Sequence, residues 1–250
     1  MFCSKCGGQI PGDSNQCPQC GIQVAGQPAG PHAIFQGSGL LLFGWGLLTG
    51  ISSYLIIPAG YAATAAWKWF LSQVVFDDGT RLEYHGKVSD VWAALAISGV
   101  LMWISVIPQI AMQGNPALIG PVIFLNLAVM LVSVAIGLYV MRKFFGGTHL
   151  SSGQVLRFDG TYWPYVGYML LYVVSVYTII GWAWVLAAFL RWFWTNVKSA
   201  GLHLDFKGQG HEILWRMLVF VIFSIPIITL PWSLKWIYDW MISKIIIVKE

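Results

Sequence analysis

Charged residues along this chain are confined to a few short segments, and long uncharged stretches run between them. No Asp, Glu, Lys or Arg occurs from Val91 to Met141, from Gly160 to Leu190, from Met217 to Leu234 or from Ser14 to Trp67. The first stretch holds two apolar spans of about 20 residues each, separated by a turn at Gln113-Gly114-Asn115-Pro116. Apolar helices are predicted near 39–57, 59–76, 90–112, 117–142, 161–179, 181–198, 211–229 and 231–248. Several are short for a full membrane crossing, which leaves half-spans or re-entrant hairpins open. In the charged segments the pattern changes to alternation. Leu82 and Tyr84 alternate with Arg81, Glu83 and His85, and Leu204 and Phe206 alternate with Asp205 and Lys207. A period of two is a strand signal. Such strands are expected to pair with Ile34-Phe35-Gln36 and Val155-Leu156-Arg157-Phe158 and to cap the helix ends.

Composition turns this pattern into a membrane protein. Hydrophobic residues make up 57% of the chain and charged residues 10%, against about 25% charged in an ordinary soluble domain. The fold class is therefore an all-α polytopic membrane helical bundle of about eight apolar helices. The first 30 residues have neither a basic n-region nor an apolar h-region, so the first span is expected to act as its own insertion signal. Lys and Arg fall in alternate loops: Arg81 and Lys87, then Arg142, Lys143 and Arg157, then Lys198, Lys207 and Arg216. The connections near Pro58, Asn115, Ile180 and Leu230 have none. By the positive-inside rule the charged loops and both termini are cytoplasmic. The formal net charge of +4 then gives a basic inner face suited to anionic lipid headgroups.

Cys3, Cys6, Cys17 and Cys20 are the four cysteines of the chain. Two C-x-x-C pairs ten residues apart supply the thiolates that one tetrahedral Zn2+ needs, and Gly7 and Gly21 after them allow the backbone to turn. The alternatives are weaker. A disulfide pair needs an oxidising compartment, and a redox C-x-x-C normally sits in a βαβ pattern that is absent here. The expected organisation is a structural zinc ribbon over 1–24, a flexible Gly/Pro/Ala linker over 25–38 and a helical membrane domain over 39–250.

The membrane part repeats. A shift of about 123 residues brings Phe35-Gln36-Gly37 onto Phe158-Asp159-Gly160 and Lys68-Trp69-Phe70 onto Arg191-Trp192-Phe193. One deletion later, the segment from Gly79 to Gly86 meets the segment from Gly201 to Gly208. Two parallel repeats of four helices, 35–150 and 158–250, are expected about a pseudo-twofold axis along the membrane normal. A fainter echo links Gly147-Thr148-His149-Leu150 to the Gly79 motif. With its aromatic-x-Gly starts, the turns Gly181-Trp182 and Pro231-Trp232 and the closing Gly-x-x-Leu-x-aromatic-x-Gly motifs, the chain from Phe35 onward resembles the YjgN family of bacterial inner-membrane proteins. That resemblance implies a bacterial inner-membrane location and no defined activity. The front segment separately resembles four-cysteine zinc ribbons found at the N-termini of bacterial membrane proteins.

Lys68 and Arg191 are equivalent in the repeat and lie about 12 to 15 Å from the uncharged ends of their helices at 1.5 Å per residue, near a bilayer midplane. They either snorkel to the interface beside Trp67, Trp69, Trp192 and Trp194 or form an intramembrane anion site. Asp239 is an acid inside a helix with Lys235 four residues earlier, which reads as a structural pair before a proton relay. Trp232, Trp236 and Trp240 form a packing stripe, and Gly46-x-x-x-Gly50 permits close helix approach. A second metal site among His85, His149 and His203 matches no ligand spacing. There is no Walker A loop, H-E-x-x-H, G-x-S-x-G or paired carboxylate set, so no enzyme is expected, and the ribbon lacks the basic patch of a nucleic-acid binder. Two functions remain. One is a membrane-anchored binding or regulatory protein that recruits a cytosolic protein through its ribbon. The other is a transporter, channel or lipid-handling protein with an anion site at Lys68 and Arg191.

Overall fold

The computed structural model describes residues 31–178 and 180–249; the four cysteines, and with them the expected zinc ribbon, lie outside the described residues. The described chain is mostly helical, with eight α-helices joined in pairs. The pairs are α1 (Gly39–Leu55) with α2 (Ala59–Ser72), α3 (Ser89–Met112) with α4 (Ile119–Gly146), α5 (Tyr162–Val176) with α6 (Trp182–Thr195), and α7 (Gly210–Ser224) with α8 (Leu230–Ser243). A short strand leads into each hairpin and another leads out. They are β1 (Ala33–Phe35) and β2 (Val74–Phe76), β3 (Leu82–Tyr84) and β4 (Thr148–Leu150), β5 (Arg157–Phe158) and β6 (Val197–Ser199), and β7 (Leu202–Phe206) and β8 (Ile245–Lys249).

These strands close on themselves. β1 pairs with β2, β3 with β4, and β5, β6, β7 and β8 pair in sequence, all antiparallel. Antiparallel bridges join the remaining edges: Val75 to Arg81 between β2 and β3, His149 to Val155 between β4 and β5, and His32 to Ile246 between β1 and β8. The result is an eight-stranded ring with no free edge, the arrangement that satisfies backbone groups in a small all-antiparallel sheet. Its interior comes from every second residue. Ala33, Phe35, Phe76, Leu82, Tyr84, Leu150, Leu156, Phe158, Val197, Leu204, Phe206 and Ile245 are all buried, whereas Glu83, His85, Arg157 and Lys207 between them are exposed. Side chains therefore fill the ring.

The expected partners of β3 are corrected here. Leu82–Tyr84 pairs with Thr148–Leu150, and Ile34 lies opposite Val75. The reason is connectivity: a helical hairpin returns the chain beside the strand it left. The expected helices 59–76, 181–198 and 231–248 took in residues of the returning strands, which in Val74-Val75-Phe76 and Ile245-Ile246-Ile247 are as apolar as the helices before them.

Four copies of one unit build this ring, each a strand, a glycine, a helical hairpin and a return strand. The motif is Gly-x-x-Leu-x-aromatic-x-Gly at Gly79 to Gly86, Gly153 to Gly160 and Gly201 to Gly208, and it recurs with alanine for leucine at Gly30 to Gly37. The structural counterpart of Gly79 in the next unit is thus Gly153, whereas Gly147 opens the strand before it. Gly79, Gly153 and Gly201 adopt φ of 83°, 84° and 71° at the turns between units, a region costly for any residue with a Cβ. At the other end of each motif the aromatic ring lies over the final glycine. A Cβ on Gly37, Gly160 or Gly208 would come within 2.4 Å of the ring two residues before it.

The helices leave from one end of the ring. α2, α4 and α6 press Trp67, Phe144, Phe145 and Phe193 onto it, with Trp67 and Phe144 stacked at 5.3 Å and Phe158 and Phe193 tilted at 5.0 Å. α3 and α4 are long and apolar enough to cross a membrane.

Candidate functional site

Six residues before the first residue of each return strand stands a charged side chain: Lys68 before Val74, Arg142 before Thr148, Arg191 before Val197 and Asp239 before Ile245. Fourfold equivalence therefore joins the three sequence-predicted site residues Lys68, Arg191 and Asp239 and adds Arg142. All four lie close to the ring. Lys68 is four residues from the end of α2 and Arg191 four from the end of α6, about 6 Å of helix in each case.

The four are used differently. Arg142 is exposed but donates from Nη2 to the carbonyl of Gly160 at 3.0 Å, which ties α4 to the start of the next unit. Asp239 accepts from Lys235 Nζ at 2.9 and 3.0 Å on its own helix. Lys68 and Arg191 are exposed, and neither side chain makes a hydrogen bond or ion pair among the described residues.

Arg191 lines a recess of about 420 Å3 where the third unit meets the fourth. Gly208, the counterpart of the Gly160 that Arg142 holds, lies in the same recess, with Trp184, Lys207 and His211. Lys207 Nζ is 2.5 Å from Asp205 Oδ2, so that pair is nearly neutral and Arg191 leaves the recess with a net positive charge. Gln209 and Glu212 cap the first turn of α7 reciprocally. Trp184 packs against Gly210 so closely that a Cβ there would lie 2.6 Å from the indole. A guanidinium that makes no bond among the described residues, in a recess shared with an indole, suits an anionic oxygen group. Lys68 does not line this recess.

In the sequence Arg216 counts only among the cytoplasmic charges at the start of the seventh expected helix. It lies on α7, half-buried, with its guanidinium carbon 4.5 Å from the ring centroids of Trp215 and Trp240 and 6.0 Å from that of Trp236. The expected tryptophan stripe thus divides: Trp236 and Trp240 enclose this cation, while Trp232 is exposed. The signal was the register of two helices, which no local pattern reports. Nearby, Glu212 and Lys244 pair at 2.8 Å. His85 and His149 meet on the outer face of the ring with centroids 4.8 Å apart, but His203 lies on β7, and no group of three ligands fit for a metal occurs among the described residues. Nothing lies within 4 Å of a Cβ built on Gly46 or Gly50, so the expected close approach is not made there. Tyr84 carries its hydroxyl into the ring without a hydrogen-bond partner among the described residues, and burial, then the charge of Asp90, raise its pKa above the ordinary phenol value.

No family model, no curated protein and no solved structure matches the chain. The site must be read from its own chemistry.

Proposed function

We infer that the chain is a multi-pass protein of the bacterial inner membrane, with its hairpins in the bilayer, its β-ring at the cytoplasmic surface and its N-terminal cysteines holding one structural zinc ion. Its role is that of a membrane-anchored binding or regulatory protein, in which the tethered ribbon recruits a cytosolic partner. One observation carries the membrane part of this reading. Large apolar side chains are exposed along the hairpins, including Leu40, Ile57, Ile107, Phe124, Tyr177, Val221 and Ile225, while the charged residues gather at the ring end. Soluble monomers rarely expose contiguous apolar patches beyond a few hundred Å2. Moving each isoleucine side chain from water into hydrocarbon contributes about 1.5–3 kcal/mol, so the hairpin surface favours the bilayer.

The anchoring role is favoured over a conduit by the filling of the ring, whose inward positions carry buried side chains from all eight strands. Recovery of the chain from carbonate-washed membranes tests the location. A pull-down with and without residues 1–30 tests the recruitment: a partner that is retained equally by both forms contradicts it.

The recess at Arg191 favours a second reading, in which the chain handles anionic lipid headgroups. Under it, Arg191→Ala lowers retention on vesicles containing phosphatidylglycerol relative to phosphatidylcholine. Unchanged retention removes this reading and leaves the first intact.

A further inference from the structure

Each hairpin is rooted on the ring in the same way, so helix length measures how far it extends. α1, α2, α5, α6, α7 and α8 have 14 to 17 residues, whereas α3 has 24 and α4 has 28. The charged position six residues before each return strand gives a common level. From Lys68, Arg191 and Asp239 to the first residues of α2, α6 and α8 there are nine residues, about 14 Å of helix; from Arg142 to the first residue of α4 there are 23, about 35 Å. The hydrocarbon core of a bilayer is about 30 Å thick, so a leaflet contributes about 15 Å. Tilt only shortens the reach.

Contacts give the same difference directly. The end of α1 rests midway along α3: a Cβ on Gly99 would lie 2.9 Å from the Ser53 carbonyl, and Trp103 Nε1 donates to the Tyr54 carbonyl at 3.0 Å. Residues 104–112 of α3, about 14 Å of helix, project past the first hairpin.

The tips differ in chemistry as their lengths require. The second hairpin turns through Gln113-Gly114-Asn115-Pro116. The first turns through Ile56-Ile57-Pro58 and the fourth through Ile225-Pro226-Ile227-Ile228, and Ile57, Ile225, Ile227 and Ile228 are 70 to 76% exposed. Polar groups at the short tips are satisfied within the turn or by the neighbouring helix. Thr178 Oγ1 donates to the Ser175 carbonyl and accepts from Gly181 N–H, Thr229 Oγ1 donates to the Pro226 carbonyl, and the Ile57 carbonyl accepts from Trp92 Nε1. Internal satisfaction is what a turn needs where no water reaches it.

We propose that only the α3–α4 hairpin crosses the bilayer, and that the other three hairpins end within the leaflet next to the ring, their tips packed among lipid acyl chains. The proposal rests on the membrane location inferred above. It makes the chain asymmetric in depth. Eight helices occupy the inner leaflet, while the outer leaflet meets only the distal halves of α3 and α4, whose Ile107, Ile110, Ile123 and Phe124 face lipid there.

The test adds one cysteine at a time to the whole chain, as Ile57→Cys, Gly114→Cys, Tyr177→Cys and Ile227→Cys. Intact spheroplasts are treated with a membrane-impermeant maleimide, and the label is assigned to peptides by mass. Gly114→Cys is expected to label from outside, and the other three at least tenfold less until detergent is added. A bimane attached at 227 is expected to be quenched more by a nitroxide near the acyl-chain end than by one in the headgroup. Labelling of the three short tips at the level of Gly114→Cys, or no labelling of Gly114→Cys, overturns the proposal. Failure of the membrane location itself would look different, with the chain absent from carbonate-washed membranes.

Discussion

Phe35, Tyr84, Phe158 and Phe206 hold one position in four copies of a strand, and each lays its ring over the glycine two residues later. Tyr84 alone carries a hydroxyl there, and it is buried without a partner among the described residues. An unsatisfied buried hydroxyl costs about 1–3 kcal/mol, so Tyr84→Phe is expected to raise the thermal midpoint or leave it unchanged; a marked fall would mean the hydroxyl is bonded. Gly208→Ala should do the opposite, because a Cβ would enter the Phe206 ring at 2.4 Å. Overpacking of this kind costs about 1–3 kcal/mol, read as a lower midpoint. The charged position separates in the same way. Arg142→Ala removes a charge-assisted bond to Gly160 and should destabilise, whereas Arg191→Ala and Lys68→Ala remove no bond made within the described residues and should leave the midpoint unchanged. These positions were only partly legible in the sequence. Lys68 and Arg191 align by a simple shift, but Arg142 enters the set only when the longer second unit is aligned on its return strand.

At the scale of elements, the eight helices follow from uncharged runs, and their starts lie within a few residues of the expected positions. The strands were half legible. Three of those entering a hairpin, at Leu82, Arg157 and Leu202, alternate apolar with polar or charged residues and announce themselves, whereas Ala33-Ile34-Phe35 does not. Those leaving one, such as Val74-Val75-Phe76 and Ile245-Ile246-Ile247, continue an apolar helix without a break in pattern, and only their β-branched content marks them. A ring buries one face of every strand, but Ile246, on the other face, is buried as well; it pairs with Asp205 on one side and bridges to His32 on the other. Proline there removes the backbone donor of a strand paired on both edges. Ile246→Pro is therefore expected to abolish cooperative unfolding in detergent, while Ile246→Val lowers the midpoint only slightly. Equal behaviour of the two variants would mean that β8 does not close the ring.

On the scale of the whole molecule, closure of the sheet and pairing of the helices divide the chain by polarity. The outer face of the ring carries the charges, and the hairpins carry the apolar surface. That division was legible from charge spacing alone. The fourfold unit was not, because the second hairpin is longer than the others and breaks the period. If the N-terminal cysteines bind metal as their spacing predicts, the chain purified under reducing conditions contains one zinc per molecule, and a content near zero contradicts that part of the account. The most direct test of the central claim is photolabelling of the membrane-bound chain with a hydrophobic carbene probe dissolved in the lipid, mapped by peptide mass. Label is expected on the helical segments 39–55, 89–112, 119–146 and 210–224 and absent from strand segments 82–84 and 202–206. Label spread evenly over strands and helices, or none on the helices, would contradict it.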